Sequence, residues 1–173
     1  DTYPVSHAAA FLMQRAEDVN VVDLLEDNTE FTGTLDPLST ATNLLYVGGE
    51  YRSGFWGHLD VLGVTTMPYL FCCSAGQPAW PMNIDLVREA RNRGGMVFFA
   101  HPLTVPRNQL GTVTGTWPSV GHGRELPIDV ALGCVDALDI FSYSNLNRIE
   151  FQLWYDLLNH GFRIPANAGT DAS

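Results

Sequence analysis

The sequence has few basic residues. Nine Lys and Arg stand against nineteen Asp and Glu, which gives a formal net charge of −10. Binding to nucleic acid rests on Lys and Arg side chains that neutralise phosphates. We therefore expect no nucleic-acid partner. The acidic excess fits a solvated surface or a nearby cation, and charge does not distinguish these two.

Cysteine is also scarce, and its spacing excludes the common cysteine frameworks. The chain has three cysteines, of which two are adjacent, at Cys72, Cys73 and Cys134. An odd number with this spacing does not predict a disulfide framework, and the absence of a C-x-x-C pair argues against a thiolate zinc site. We interpret the three side chains as buried free thiols.

Long apolar runs and targeting signals are missing as well. No run approaches the roughly 20 residues of a membrane-spanning helix. The first residues, DTYPVSH, lack the basic start and apolar core of a signal peptide. We expect a soluble protein without a membrane partner, either periplasmic or secreted in a bacterium or else cytoplasmic. The abrupt start without Met predicts a piece of a longer protein.

Hydrophobic patterning predicts one α/β domain over residues 1–173. Strands alternate with helices from residue 83 onward, which favours a parallel sheet or a barrel. At 173 residues the chain is shorter than the roughly 250 residues of a typical β/α barrel, so we expect an incomplete one. The predicted strands are 20–26, 43–49, 57–64, 96–100, 135–142 and a last one after Phe162; the predicted helices are 7–18, 84–94, 128–133 and 148–161.

Metal-capable side chains follow three of the hydrophobic runs. Glu50 follows the run 44–47, His101 follows the run 96–100, and Asp171 follows the stretch from Phe162. In a β/α barrel every strand delivers its last side chain to one rim. Carboxylate and imidazole groups gathered there suit a metal-dependent hydrolase. His58, in the same segment as Glu50, is a further candidate ligand.

Each candidate also has a structural interpretation. Glu50 could be an exposed turn residue, His58 a core histidine, and Asp171 a turn or helix cap. His101 precedes Pro102, which favours extended backbone at His101. Three other side chains could reach a substrate, namely Arg52, Trp56 and His122. Arg52 could equally form a structural salt bridge, and Trp56 could instead cover the barrel end. His122 could be a surface residue of the long loop 102–126.

Five segments of the sequence, taken in order, resemble a known family. They are RAEDVNVVDLL, GGEYRSGFWGHLDVLG, FFAHP, VDALDIF and WYDLLNHGFRIPANAGTDA. Together they resemble the PHP (polymerase and histidinol phosphatase) superfamily and, within it, the carbaryl-hydrolase-like CehA/McbA metallohydrolases.

The resemblance implies a distorted (β/α)7 barrel with two divalent cations, zinc, manganese or iron, near the carboxyl ends of the strands. It implies metal ligands at Glu50, His58, His101 and Asp171, with Glu50 bridging the cations. Glu50, His101 and Asp171 would carry the catalysis. No serine nucleophile is needed, and no G-x-S-x-G motif occurs.

Three motifs of the superfamily are missing. The His-x-His of its first strand does not occur, and by spacing it would end just before Asp1. Asp27-Asn28 replaces Asp-His, and Asp171-Ala172-Ser173 replaces Asp-x-His. We therefore expect a chain truncated just after the His-x-His motif, with an incomplete metal site.

Three functions remain open from the sequence. The first is hydrolysis of an ester, carbamate or amide bond of a small molecule by metal-activated water. The second is phosphoester hydrolysis, which the scarcity of Lys and Arg makes less favoured. The third is a non-catalytic barrel, and exposed strand edges could also pair two copies into a homo-oligomer.

Overall fold

Six strands and four helices make up the described part of the chain. The computed structural model describes residues 5–26, 31–53, 56–66, 82–103, 123–141 and 149–169. In chain order the elements are α1 (His7–Ala16), β1 (Val21–Glu26), β2 (Leu44–Ser53), β3 (Gly57–Leu62), α2 (Asn83–Asn92), β4 (Met96–Phe99), α3 (Leu126–Ala131), β5 (Ala137–Phe141), α4 (Ile149–Asn159) and β6 (Ala166–Ala168).

The six described strands form one mixed sheet in the order β1-β2-β3-β4-β5-β6. β1 and β2 are parallel, and so are β4, β5 and β6. β3 runs antiparallel to both of its neighbours, β2 and β4. The sheet curls like half of a barrel, which agrees with the predicted incomplete barrel in its coarse form.

The two faces of the sheet differ in chemistry because side chains alternate along each strand. One face carries the apolar core, in which Tyr51, Leu59 and Phe99 are almost fully buried against residues of the helices. The opposite face carries polar side chains. Glu50 lies opposite Asp60 in the register of β2 and β3, so both project from this second face.

Helix α1 begins as the sequence predicts. Ser6 is its N-cap, and the Ser6 hydroxyl accepts a hydrogen bond from Ala9 N at 3.3 Å. This contact satisfies one of the amide groups that the first turn of a helix leaves without a partner.

Helix α2 is capped by a distant side chain instead of a local one. Asn83 is its first helical residue, and the N-cap Met82 provides no side-chain hydrogen bond. The fully buried Glu125 accepts hydrogen bonds from Asn83 N at 2.8 Å and Ile84 N at 3.2 Å. A carboxylate at a helix N-terminus is stabilising. Glu125 therefore links α2 to the segment that precedes α3.

One turn after Glu125, Asp129 is fully buried, and among the residues that the structure describes neither of its carboxylate oxygens has a hydrogen-bond partner. Burial, and secondarily the charge of Glu125, raises the pKa of Asp129 to about 8. The carboxyl group is therefore protonated near neutral pH.

Within the residues that the structure describes, no helix is both long enough and apolar enough to cross a membrane. Cys134 is a buried free thiol, as expected from the sequence, whereas Cys72 and Cys73 lie outside the described residues.

Candidate metal centre

Three sequence-predicted ligands meet on the polar face of the sheet. Glu50 lies within β2, His58 is the second residue of β3, and His101 follows the end of β4 by two residues. Because β3 runs antiparallel to β2 and β4, its beginning lies at the edge where β2 and β4 end. Residues from the start of one strand and the ends of two others therefore share one site.

A single carboxylate oxygen lies at the centre of this cluster. Glu50 Oε1 is 2.9 Å from His58 Nδ1 and 3.6 Å from His101 Nε2. The two imidazole rings meet edge to face, with centroids 5.0 Å apart. Glu50 and His101 are buried, and His58 is half-buried.

The backbone at His101 differs from the sequence expectation. Extended backbone was expected before Pro102, but His101 has a φ of +27°. Non-glycine residues rarely adopt positive φ, and such strain is often found at functional sites. Since Ala100 N donates a hydrogen bond to His58 O at 3.2 Å, the chain leaves the sheet only at His101. The turn there directs the imidazole towards Glu50.

Arg52 contacts the other oxygen of Glu50. Arg52 Nε donates a hydrogen bond to Glu50 Oε2 at 2.6 Å. Burial would raise the pKa of Glu50, but the imidazoles of His101 and His58 and the charge of Arg52 outweigh it and hold that pKa well below its usual range. The carboxylate is thus ionised.

The donor set fits a divalent cation. One atom each from Glu50, His58 and His101 lies within 4.8 Å of the others, and no other such group of three occurs in the part of the chain that the structure describes. Two ligand atoms about 2.1 Å from a zinc ion are at most about 4.2 Å apart, so a small side-chain movement closes the site. Imidazole with carboxylate suits zinc, manganese or iron.

Three further residues were predicted for the site, namely Asp171, His122 and Trp56. Asp171 and His122 lie outside the described residues, and their predicted roles stay predictions. Trp56 is half-buried and serves the fold through its backbone: its N–H donates to Ser53 Oγ at 3.0 Å, and its carbonyl accepts from Glu125 N at 3.2 Å.

Two buried acids on the same face were not selected from the sequence. Asp60 lies opposite Glu50 of β2 and Phe98 of β4 in the strand register. Ala137 of β5 lies opposite Phe98, and Asp139 follows Ala137 by two residues, so Asp139 projects from the same face. Asp139 accepts a hydrogen bond from Asn167 Nδ2 at 2.9 Å. Strand alternation was the available signal, since Asp60 follows His58 by two positions.

A second group of ionisable side chains lies on the other face. His7 Nδ1 is 2.5 Å from Asp36 Oδ2, and His7 Nε2 is 3.4 Å from Glu26 Oε1. Because the two contacts use different ring nitrogens, they point to an ion-pair bridge instead of a common metal position. His7 thus connects α1 to β1.

Solved structures share the fold at low sequence identity. The chain is similar to PsfC from Pseudomonas syringae (TM-score 0.56, 13% identity, 93% of this chain and 65% of that one). It is also similar to a two-domain protein from Bacteroides vulgatus (TM-score 0.52, 17% identity, 89% of this chain and 43% of that one). The latter is described as containing a predicted PHP-like metal-dependent phosphoesterase.

No protein-family model and no curated protein matches the sequence. The chain spans just under two thirds of PsfC and less than half of the two-domain protein. The comparisons therefore show that the chain shares its fold with these two structures.

Proposed function

We propose that this chain is part of a metal-dependent hydrolase that uses metal-activated water to cleave an ester, carbamate or amide bond in a small molecule. The observation that carries the proposal is the meeting of Glu50, His58 and His101 within 4.8 Å. The PHP-like neighbour supports the reaction class. The finer assignment to the CehA/McbA metallohydrolases rests on the sequence motifs.

In this proposal each residue of the cluster has a defined part. Glu50 Oε1, His58 Nδ1 and His101 Nε2 are the atoms that would hold a divalent cation. When bound, the cation would polarise the scissile carbonyl or phosphoryl oxygen and acidify a water molecule. The burial of Glu50 and His101 restricts competing water, and the turn at His101 fixes the direction of its imidazole.

A phosphoester substrate is the second candidate, because the Bacteroides vulgatus neighbour is described as a predicted phosphoesterase. Against it stands the scarcity of basic residues, nine in the whole chain. Arg52 is the basic residue beside the cluster, and its Nε already donates to Glu50.

The test is a hydrolysis screen with cation-depleted and cation-restored protein. The substrates are p-nitrophenyl acetate, an aryl N-methylcarbamate, an anilide and p-nitrophenyl phosphate, each with added Mn²⁺ or Zn²⁺. The chain is compared with Glu50→Gln and with the control Glu89→Gln, in which the replaced carboxylate pairs with Arg93 on the outside of α2.

Cation-dependent turnover that disappears in Glu50→Gln and persists in Glu89→Gln is the expected result. The substrate that is cleaved then shows whether the enzyme hydrolyses ester, carbamate or amide bonds or hydrolyses phosphoesters. Turnover that is equal in Glu50→Gln and the unaltered chain would contradict the proposed role of the cluster.

A further inference from the structure

The two oxygens of the Glu50 carboxylate have different surroundings. Oε1 faces the two imidazoles, 2.9 Å from His58 Nδ1 and 3.6 Å from His101 Nε2. Oε2 accepts the hydrogen bond from Arg52 Nε at 2.6 Å. Oε1 therefore faces the candidate cation position, and Oε2 faces a guanidinium group.

Strand geometry determines which group each oxygen of Glu50 faces. Arg52 follows Glu50 by two residues in β2, so both side chains project from the same face of the sheet. Arg52 also lies directly opposite His58 in the register of β2 and β3. Glu50 consequently has Arg52 beside it on its own strand and His58 on the diagonal of the neighbouring strand.

The contact with Arg52 differs from an ordinary surface ion pair. The Arg52 side chain is 40% exposed, but the Glu50 side chain is only 10% exposed. Removing the charged donor would leave the buried carboxylate without a compensating partner, which costs free energy. The donor is Nε, which is fixed in the guanidinium plane, and this restricts the orientation of the carboxylate more than a rotating ammonium group would.

A carboxylate that joins two cations through both of its oxygens places one cation beside each oxygen. Two cations about 3.5–4 Å apart are usually joined by groups that bind each of them. In Glu50, Oε1 faces the imidazoles, whereas a cation at Oε2 would lie beside the Arg52 guanidinium, whose Nε is 2.6 Å from that oxygen, and would be repelled by its positive charge. The arrangement thus favours one cation and differs from the two-cation centre that the family resemblance implies.

We propose that Arg52 is a positioning residue of this centre, which holds Glu50 Oε2 so that Oε1 binds one divalent cation with His58 and His101. The inference rests on the proposed function, since it takes the cluster to be a cation site. Hydrogen-bonded partners of metal ligands commonly contribute 10–100-fold to cation affinity. Loss of Arg52 should therefore weaken cation binding although it removes a positive charge from the site.

The experiment measures Mn²⁺ binding by equilibrium dialysis and mass spectrometry, with folding checked by circular dichroism. The proteins are the unaltered chain, Glu50→Gln, Arg52→Gln, Arg52→Lys and Arg88→Gln. Arg88 lies exposed on α2, so Arg88→Gln removes the same charge far from the cluster. Arg52→Lys keeps the charge but lacks the planar Nε–H.

The expected result is one equivalent of Mn²⁺ in the unaltered chain and a dissociation constant about 10–100-fold higher in Arg52→Gln. Arg52→Lys should recover only part of the affinity, and Arg88→Gln should stay within about twofold of the unaltered chain. Unchanged or tighter binding in Arg52→Gln would overturn the positioning role. Two equivalents that are both lost in Glu50→Gln would overturn the single-cation arrangement.

A second readout does not depend on any metal. In ¹⁵N-resolved NMR spectra of the metal-free chain, the Arg52 Nε–H signal should shift in Glu50→Gln and stay in place in Glu89→Gln. An unmoved signal in Glu50→Gln would refute the contact itself. If that signal shifts but the unaltered chain binds no Mn²⁺, the proposed cation site fails and this inference fails with it, while the Arg52–Glu50 contact stands.

Discussion

Replacing Asp129 by Asn should make the stability of this protein less sensitive to pH. Asp129 is fully buried, and both of its oxygens lack hydrogen-bond partners within the described part of the chain. Burial and the nearby Glu125 raise its pKa from 3.8 to about 8. The native state therefore keeps a proton on Asp129 at pH values where the unfolded chain has released it.

The size of the effect follows from proton linkage. Between pH 3.8 and about 8 the native state binds one more proton than the unfolded state at this position. The free energy of unfolding consequently falls as the pH rises, by up to about 1.4 kcal/mol for each pH unit. Asn does not titrate, so between pH 5 and pH 7 the stability of Asp129→Asn should rise relative to the unaltered protein by up to about 2.7 kcal/mol.

Urea denaturation at pH 5, 6 and 7 measures this difference. The control is Asp156→Asn, which changes an exposed aspartate of α4. Any constant cost of burying the Asn amide cancels, because only the change with pH is compared. A difference between Asp129→Asn and the unaltered protein that is the same at all three pH values would refute the reasoning, as would an equal slope in Asp156→Asn.

Two further predictions concern stability. Gly33 has a φ of +63°, and an added Cβ would lie 1.7 Å from Val64 O, so Gly33→Ala should lower the free energy of unfolding by about 3 kcal/mol or more. Gly94 has a φ of +82°, and no atom of the described residues lies within 4 Å of an added Cβ, so Gly94→Ala should lower the free energy of unfolding by only about 1 kcal/mol. Equal losses in urea denaturation would contradict this account. His7→Gln should lower stability by about 1–3 kcal/mol, because His7 contacts two buried carboxylates, including that of Asp36; calorimetry that finds no change in the melting temperature would refute the bridge.

Much of the fold could be predicted from local sequence patterns. Apolar runs and helix periodicity predicted each described helix and strand, but β2 extends four residues beyond its predicted end and the last strand was placed only after Phe162. These signals act over short distances, so they carry over to the structure directly. The start of α1 at His7 is such a case, because the Ser6 hydroxyl and the amide it binds are three residues apart.

The contacts that sequence patterns missed join distant residues. Glu125 caps α2 across more than forty positions, and a local sequence pattern does not indicate such a contact. The antiparallel direction of β3 brings the start of a strand to the site, which a rule based on strand ends does not anticipate. Arg52 and Glu50, which share a hydrogen bond, are close in sequence, but the sequence favoured anion binding by Arg52 and a structural salt bridge of Arg52 equally.

The most direct test of the central claim is an anomalous-difference map from crystals of this chain soaked in Zn²⁺. The account predicts a single strong peak about 2.0–2.2 Å from Glu50 Oε1, His58 Nδ1 and His101 Nε2, with Arg52 still bonded to Oε2. A map with no peak between these three side chains, at a zinc concentration that labels other sites, would contradict the claim that they form a metal centre.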